Sequence, residues 1–512
     1  MNFGESLAIQ SSRYPDKTAI ADDAKSTTYS RLNSRVNSLA NGMLDMGLKK
    51  GDIVCHLQGN TIEHIELLYA IAKTGLIRLP LNLRADRTEF VHIINSFEPA
   101  ALVFENSFDP VIDEIRSHLR CSHYIRVGPS PLAEAIHYND LTTKFPDTEP
   151  GIEVREDEPY LVQSTSGTTG FPKGALLSHG GIIRRCLIRA VDLGNNSNGV
   201  YLAVTSLANT ASTFYGLSQL YLGGKVILRN RFDPVNTLET IEREEVTNTT
   251  MVPVMWERIL RVPKLEQYVL SSLQIAISYG APLHSQTKEE LIKRVSPNLV
   301  ETYGITETGP IAMLMPHEQL KKIDCVGQAT LHTKIKIVDS RGNELPTGHQ
   351  GEIVVQTPYL FEGYLRNPEA TAAVLRDGWF YTGDIGRIEA ENHTYYLYIM
   401  GRSKDIVISG GYNIYAEEVE RVIARHPDVQ EVVVIGVPDE EWGEVVKAVV
   451  VLKPSSQADE GEIINFCKAN LASYKKPRSV DFVSSLPRTG AEKVAKKKLR
   501  EKYWAGFDRE VH

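Results

Sequence analysis

Helix and strand signals alternate along the first hundred residues of this chain, and that alternation constrains the fold more than any other feature of the sequence. Leu32, Val36, Leu39 and Met43 recur at the spacing of one amphipathic helix face, and Gly47 supplies a stop. The run IVCHL, from Ile53 to Leu57, reads as a buried strand. A helix from Thr61 to Lys73 follows and ends at Gly75. Then come a short extended RLPLN, a helix through FVHIINSF and the strand AALVF. Strands joined by helical crossovers run parallel, and such a sheet must be covered on both faces. The fold class is therefore α/β, with layered parallel sheets and helices, and the rhythm continues to roughly residue 330.

From about residue 334 the texture changes. KIKIVDSRGNELPTGHQGEIVVQTP offers short strands with Gly-rich turns, which predicts a β-rich subdomain. After Gly401 it changes again: a helix from Ala416 to Arg425, strands EVVVIGV and AVVVL, a helix near Glu460 to Leu471 and a strand VDFV. This is a compact α+β unit of about 110 residues, large enough to stand alone. The expected division is a large N-terminal domain over 1–400 and a small C-terminal domain over 401–512. No internal repeat or low-complexity segment is visible.

Several function classes are excluded early. A net charge of −8 argues against a protein that coats nucleic acid, though not against a local phosphate site. The five cysteines, Cys55, Cys121, Cys186, Cys325 and Cys467, are far apart and form no metal-ligand pattern. Reduced thiols in the cytosol are the plain reading, and none is placed as a nucleophile. The N-terminal segment carries Glu5 and no long apolar run, unlike a signal peptide. No apolar stretch reaches the length of a membrane span.

The sharpest local signal is Ser164-Thr-Ser-Gly-Thr-Thr-Gly-Phe-Pro-Lys-Gly174. It places the hydroxyls of Thr165, Ser166, Thr168 and Thr169, the glycines Gly167, Gly170 and Gly174, and Lys173 in one short loop. Glycines let a backbone approach a polyanion and turn its N–H groups inward, hydroxyls add donors, and a lysine adds a point charge. The spacing is not that of a Walker A loop. A flexible polar surface loop would not need this order of residues.

With this string the chain resembles the adenylate-forming superfamily, in its acyl-CoA synthetase branch, and the resemblance extends over essentially the whole length. It implies that Thr165 to Gly170 and Lys173 hold ATP phosphates. Tyr303-Gly-Ile-Thr-Glu-Thr-Gly309 is similar to the family's second signature. There Tyr303 would face adenine, Thr306 the α-phosphate, and Glu307 a Mg²⁺ ion, a hard cation suited to oxygen ligands, with Gly304 a further nucleotide contact. Read alone, Thr306-Glu307 is also a helix-start pattern. Ser278-Tyr-Gly-Ala-Pro-Leu283 looks like the adenine-side loop, with Gly280, Ala281 and Pro282 against the base and Tyr279 where relatives often have a second glycine.

Tyr381-Thr-Gly-Asp384 resembles the ribose motif, because a carboxylate can accept two adjacent sugar hydroxyls; Arg402 would join it. Lys404 matches the hinge about which the small, mobile domain pivots. Ser409-Gly-Gly-Tyr-Asn-Ile414 is similar to the pantetheine loop, so Ser409, Gly410, Gly411 and Tyr412, with Trp442, are the expected CoA contacts; Ala416 stands where relatives usually have Pro. Leu486-Pro-Arg-Thr-Gly-Ala-Glu-Lys493 resembles the motif that delivers the adenylation lysine, which would orient two anions in the transition state. Relatives usually have Gly where this chain has Glu492. The basic run Lys496 to Lys498 reads as a solvated helix face.

Ser206 to Gly224 carries no formal charge, and the resemblance places it along the acyl pocket. The expected pocket residues are Asn209, Thr210, Phe214, Tyr215, Tyr279, Gly304 and Gly309. A wall with no counter-ion suits a neutral fatty or aromatic tail, and neither the carboxylate of amino-acid-activating relatives nor the cation of malonate-activating ones is visible. Asn209 stands where many relatives carry a gating His. The expected reaction joins a carboxylic acid to CoA using MgATP, in the cytoplasm, with a homodimer as the expected assembly and nucleic acid excluded. A free-standing enzyme that loads a carrier protein is the second reading, and a non-catalytic nucleotide- or acyl-binding relative is the third.

Overall fold

The computed structural model describes residues 2–129, 134–165, 173–454, 456–488 and 494–505. Ser166, Gly167, Thr168, Thr169 and Gly170 of the phosphate loop lie outside the described residues, as do Glu492 and Lys493. For Thr165 only the backbone is described.

The helix–strand rhythm is realised element by element. The stripe Leu32, Val36, Leu39 and Met43 is fully buried on the helix Tyr29–Asp45. Thr28 caps that helix by accepting from the Arg31 N–H, and Thr61 does the same for the helix Ile62–Thr74 at His64. Gly75 closes the latter at φ 69, a left-handed position that a residue with a Cβ adopts only with strain. The strand Ile53–Leu57 is buried at every residue, as a parallel strand covered on both faces must be.

Among the described residues two large sheets stack these elements. One has eight strands; Ile53–Leu57, Ile77–Pro80, Ala101–Glu105 and His123–Val127 are parallel within it. At its other side Pro159–Thr165 and Lys173–Ser178 form an antiparallel hairpin. The other sheet has fourteen strands. Its parallel block contains Lys225–Leu228, Val200–Ala203, Asn248–Met251, Ile275–Tyr279 and Leu299–Ile305, in that spatial order.

In this sheet parallel pairing stops at Leu299–Ile305, short of the expected residue 330. The chain turns back at once into Gly309–Leu314, antiparallel, and then Cys325–Ala329. The reversal is forced at Gly304: a Cβ there would lie 2.3 Å from the Gly309 carbonyl oxygen, and Gly309 itself has φ +70. The β-rich region after residue 334 is present as Lys334–Val338, Gly351–Gln356, Trp379–Glu391 and Thr394–Arg402, and it continues the same sheet.

A third, five-stranded sheet uses only residues after 405: Ile406–Ser409, Tyr412–Tyr415, Val429–Asp439, Gly443–Leu452 and Ser479–Phe482. It has its own buried cluster, including Val407, Val419, Val434, Val450, Ile463 and Cys467. Among the described residues no helix is long and apolar enough to cross a membrane.

Candidate active site

In an open parallel sheet, ligands collect beyond the carboxyl ends of the strands. Here those ends open into one continuous cavity of about 3010 Å³ between the large sheets and the small one. Thr205 and Ser206 follow the strand Val200–Ala203 into it. Val252 follows Asn248–Met251, and Gly280, Ala281 and Pro282 follow Ile275–Tyr279. Gly280 sits at φ +86, so the backbone of that turn presents no Cβ to a flat ligand.

The sequence-expected ribose group is assembled by sheet register. Asp384 and Arg402 are paired across Trp379–Glu391 and Thr394–Arg402. The Arg402 Nε lies 3.1 Å from Asp384 Oδ1. The Tyr303 hydroxyl donates to Asp384 Oδ2 at 2.6 Å, from a strand far away in sequence. Burial, and then the Asp384 charge, push the Tyr303 phenol well above its ordinary range, so it stays a donor. Asp384 is 3% exposed, and its cation and its phenol donor offset the cost of burying it.

The loop Thr306-Glu307-Thr308 sits at the tip of the antiparallel hairpin, not at a helix start. Its shape is held from behind. Arg185, 1% exposed on the helix His179–Leu193, donates Nη1 to the Thr306 carbonyl at 3.0 Å and Nη2 to the Glu307 carbonyl at 3.2 Å. It also donates Nη2 to the Tyr359 carbonyl at 2.9 Å. Burial, with Arg189 beside it, lowers Arg185 to about 9, still a cation at neutral pH. The Glu307 side chain faces the cavity, where Tyr364 donates its hydroxyl to Oε1 at 2.8 Å. The Lys173 ammonium lies 5.2 Å from the Tyr364 ring centre. Lys173 pairs with Thr165 in the hairpin, so the two ends of the phosphate loop are fixed side by side facing the Glu307 group.

Lys493 lies outside the described residues, but its flanks do not. Arg488 and Val494 form a β-bridge, and both line the cavity. Lys496 departs from the solvated-face reading. It lines the cavity, its ammonium pairs with Glu420 at 2.8 Å, and its side chain is 18% exposed; Lys497 and Lys498 are exposed as expected. Lys404 lies in the turn Ser403–Asp405, and its carbonyl accepts from Arg500 at 3.1 Å.

Asn209, Thr210, Phe214, Tyr215, Tyr279, Gly304 and Gly309 all line the cavity. Asn209 occupies the N-cap position of the helix Thr210–Tyr221 without capping it through its side chain. A cation also lines the cavity beside the expected acyl residues: Arg189, with its guanidinium 4.8 Å from the Tyr215 ring centre. It comes from the helix His179–Leu193, outside the uncharged stretch.

The expected CoA contacts are elsewhere. Gly410 and Gly411 form the turn between Ile406–Ser409 and Tyr412–Tyr415, at φ +55 and +83. The Gly410 N–H donates to the Trp442 carbonyl at 2.9 Å, and a Cβ on Gly410 would strike the Trp442 ring at 2.5 Å. Tyr412 is 58% exposed, and none of Ser409, Gly410, Gly411, Tyr412 or Trp442 lines the cavity.

Sequence reasoning missed Arg185, Arg189 and Tyr364. Two arginines on the otherwise apolar stripe of Ile182, Cys186 and Leu193 are a readable anomaly that could have flagged the first two. Nothing local marks Tyr364.

A parallel-sheet cavity ringed by a ribose-type carboxylate, a rigid Thr-Glu tip and the ends of a Gly-Ser-Thr loop defines a nucleotide-dependent acid-activating enzyme. The comparisons agree. Residues 7–365 match the family described as AMP-binding enzyme, and residues 418–493 match the AMP-binding enzyme C-terminal domain. The chain is 35% identical to a feruloyl-CoA synthase from an Amycolatopsis species, with 96% of each chain covered. It is 34% identical to an indoleacetate–CoA ligase from Aromatoleum aromaticum, with 98% of each covered. Among solved structures, ATP-bound MatB from Rhodopseudomonas palustris superposes with a TM-score of 0.89 at 31% identity, covering 98% of this chain and 99% of that one. This chain belongs to the AMP-binding enzyme family and is an adenylate-forming enzyme of its acyl-CoA synthetase branch.

Proposed function

We propose that the enzyme activates a carboxylic acid with ATP and passes the acyl group to CoA. A carboxylate oxygen attacks the α-phosphorus, the bond to pyrophosphate breaks, and acyl-AMP forms. The CoA sulfur then attacks the acyl carbon, the bond to AMP breaks, and the thiol proton leaves to solvent. The observation that carries this reading is the convergence on one cavity of Asp384, Tyr303, Glu307, Lys173 and both flanks of Lys493.

In this reading Asp384 and Arg402 hold the ribose. Tyr303, Gly280, Ala281 and Pro282 flank adenine, with Gly304 beside them. Thr306 meets the α-phosphate, which Lys493 reaches together with the acid. Thr165, Ser166, Gly167, Thr168, Thr169 and Gly170 with Lys173 hold the other phosphates. Arg185 keeps the Thr306-Glu307 tip in place and so preorganises it. Glu307 fits a Mg²⁺ ion: its hard carboxylate oxygens line the cavity and are oriented by the Tyr364 hydroxyl at Oε1. Such an ion would take its remaining ligands from phosphate and water, and would offset phosphate charge.

The small domain, residues 401–512, turns about Lys404 between the half-reactions. That turn would bring Ser409, Gly410, Gly411, Tyr412 and Trp442, now away from the cavity, to the pantetheine arm. The names of the relatives at 32–35% identity favour CoA as acceptor and an aromatic or fatty acid as substrate, while a relative at 28% identity is a fatty acid–acyl-carrier-protein ligase. The setting is the cytoplasm. ATP–pyrophosphate exchange driven by one or more acids of an aromatic and fatty panel is the test; exchange with none would overturn the proposal.

A further inference from the structure

Two arginines one turn apart on the helix His179–Leu193 both line the cavity, and their surroundings differ sharply. Arg185 has backbone carbonyls at Nε, Nη1 and Nη2. Arg189 is 4% exposed; its Nη1 donates to the Arg185 carbonyl at 3.2 Å, and its guanidinium also hydrogen-bonds the Tyr215 hydroxyl. Its buried Nε has no hydrogen-bond partner among the described residues. The guanidinium lies 4.8 Å from the Tyr215 ring centre and 5.7 Å from that of Phe214. Among the described residues no carboxylate forms an ion pair with it. Asp192, further along the same helix, instead accepts from the Leu331 N–H at 3.3 Å.

A buried guanidinium with an unmet donor is costly unless something satisfies it. The two aromatic faces meet part of that cost, because they attract a cation, but they accept no directed hydrogen bond at Nε. The partner that Nε lacks is an oxygen acceptor, and Arg189 lines the cavity beside the expected acyl-pocket residues Phe214 and Tyr215.

We infer that Arg189 is a specificity-determining residue, and that the acid activated here carries a second oxygen acceptor on a short, ring-bearing body. This rests on the function proposed above. Arg185 holds the Thr306 carbonyl, so it marks the end of the pocket where the reacting carboxylate would meet the α-phosphate. One helical turn, about 5.4 Å, separates it from Arg189. A single substituted aromatic ring spans a distance of that order. Phe214, Tyr215 and Tyr279 supply flat faces for such a ring. A plain alkyl tail would dry the pocket and leave the Nε–H unmet, the kind of loss by which sites built for a polar group reject its apolar analogue.

The test uses matched acids: benzoate against 4-hydroxybenzoate, cinnamate against 4-hydroxycinnamate, benzoate against benzene-1,4-dicarboxylate, and decanoate. Thioester formation is followed with ATP and CoA for the wild type, Arg189→Met and Arg189→Gln. The wild type is expected to favour an oxygenated member over its plain partner by about 10- to 100-fold in kcat/KM, mostly through KM. Arg189→Met should bring that ratio to within about threefold of unity, and Arg189→Gln, which keeps a donor, should retain part of it. The hydroxyl and dicarboxylate arms separate a neutral acceptor from a charged one. A wild-type ratio at or below unity overturns the inference, as does a variant that slows all acids by one common factor. If no acid gives a thioester, the function proposed above fails instead, and direct calorimetric binding of the same pairs to wild type and Arg189→Gln then decides the role of Arg189. Arg189→Gln also covers the case in which Arg189→Met does not fold.

Discussion

Asp384 offers the most quantitative test of the nucleotide site. Its carboxylate has about four acceptor positions. Two are occupied, by the Tyr303 hydroxyl at 2.6 Å and Arg402 Nε at 3.1 Å. Two remain, which suits two vicinal hydroxyls. A hydrogen bond to a charged group contributes about 1.5–3 kcal/mol, so deleting one ribose hydroxyl should cost the wild type roughly 10- to 100-fold in kcat/KM for the nucleotide. Asp384→Ala removes the acceptor. The variant should be poorer with ATP to begin with, but 2′-deoxy-ATP and 3′-deoxy-ATP should then cost it little more, about twofold or less. The assay is pyrophosphate exchange with ATP and both analogues, read as a double-mutant cycle. Additive penalties, with the deoxy analogues as harmful to the variant as to the wild type, would refute ribose binding by Asp384.

Three further outcomes are expected. Arg185→Met leaves several carbonyls around Thr306 and Tyr359 without their donor, and should destabilise the protein by about 3 kcal/mol or more, seen in chemical denaturation, and slow pyrophosphate exchange; wild-type stability would contradict the clamp. Glu417 is raised to about 7, first by burial and then against the pull of Lys496 by Glu420, Asp405 and Asp384. A raised carboxyl favours folding while protonated, so its contribution is complete below about pH 4.5 and is lost as pH rises through 7. Glu417→Gln should thus match the wild type near pH 4 and exceed it by about 3 kcal/mol at pH 8; a constant difference would exclude that titration. Lys493→Ala should cut acyl-AMP formation far more than CoA attack on supplied acyl-AMP, and equal losses in stopped-flow half-reactions would remove its assigned role.

The elements of the parallel region were legible because each carries its own punctuation. The stripe from Leu32 to Met43 and the strand Ile53–Leu57 needed only periodicity and Gly stops. The reversal at Gly304 was not legible, because Tyr303 to Ile305 reads equally well as a strand entering any loop; what forces the turn is a close approach to Gly309 across the hairpin. The nucleotide residues could be read as short strings, since chemistry demands their order. Their supports could not. Arg185 reaches carbonyls more than a hundred residues away, and Tyr364 meets Glu307 only through tertiary packing. Arg189 was missed for the same reason: it lines the cavity beside Tyr215 from a second helix, outside the uncharged stretch Ser206 to Gly224.

The central claim, activation through an adenylate followed by thioester formation, is tested most directly by product stoichiometry. The enzyme is incubated with ATP, CoA and an accepted acid, and AMP, pyrophosphate and acyl-CoA are measured together. Equal amounts of the three are expected, with sustained AMP release dependent on CoA. ADP and inorganic phosphate as products, or AMP released at the same rate without CoA, would contradict the account.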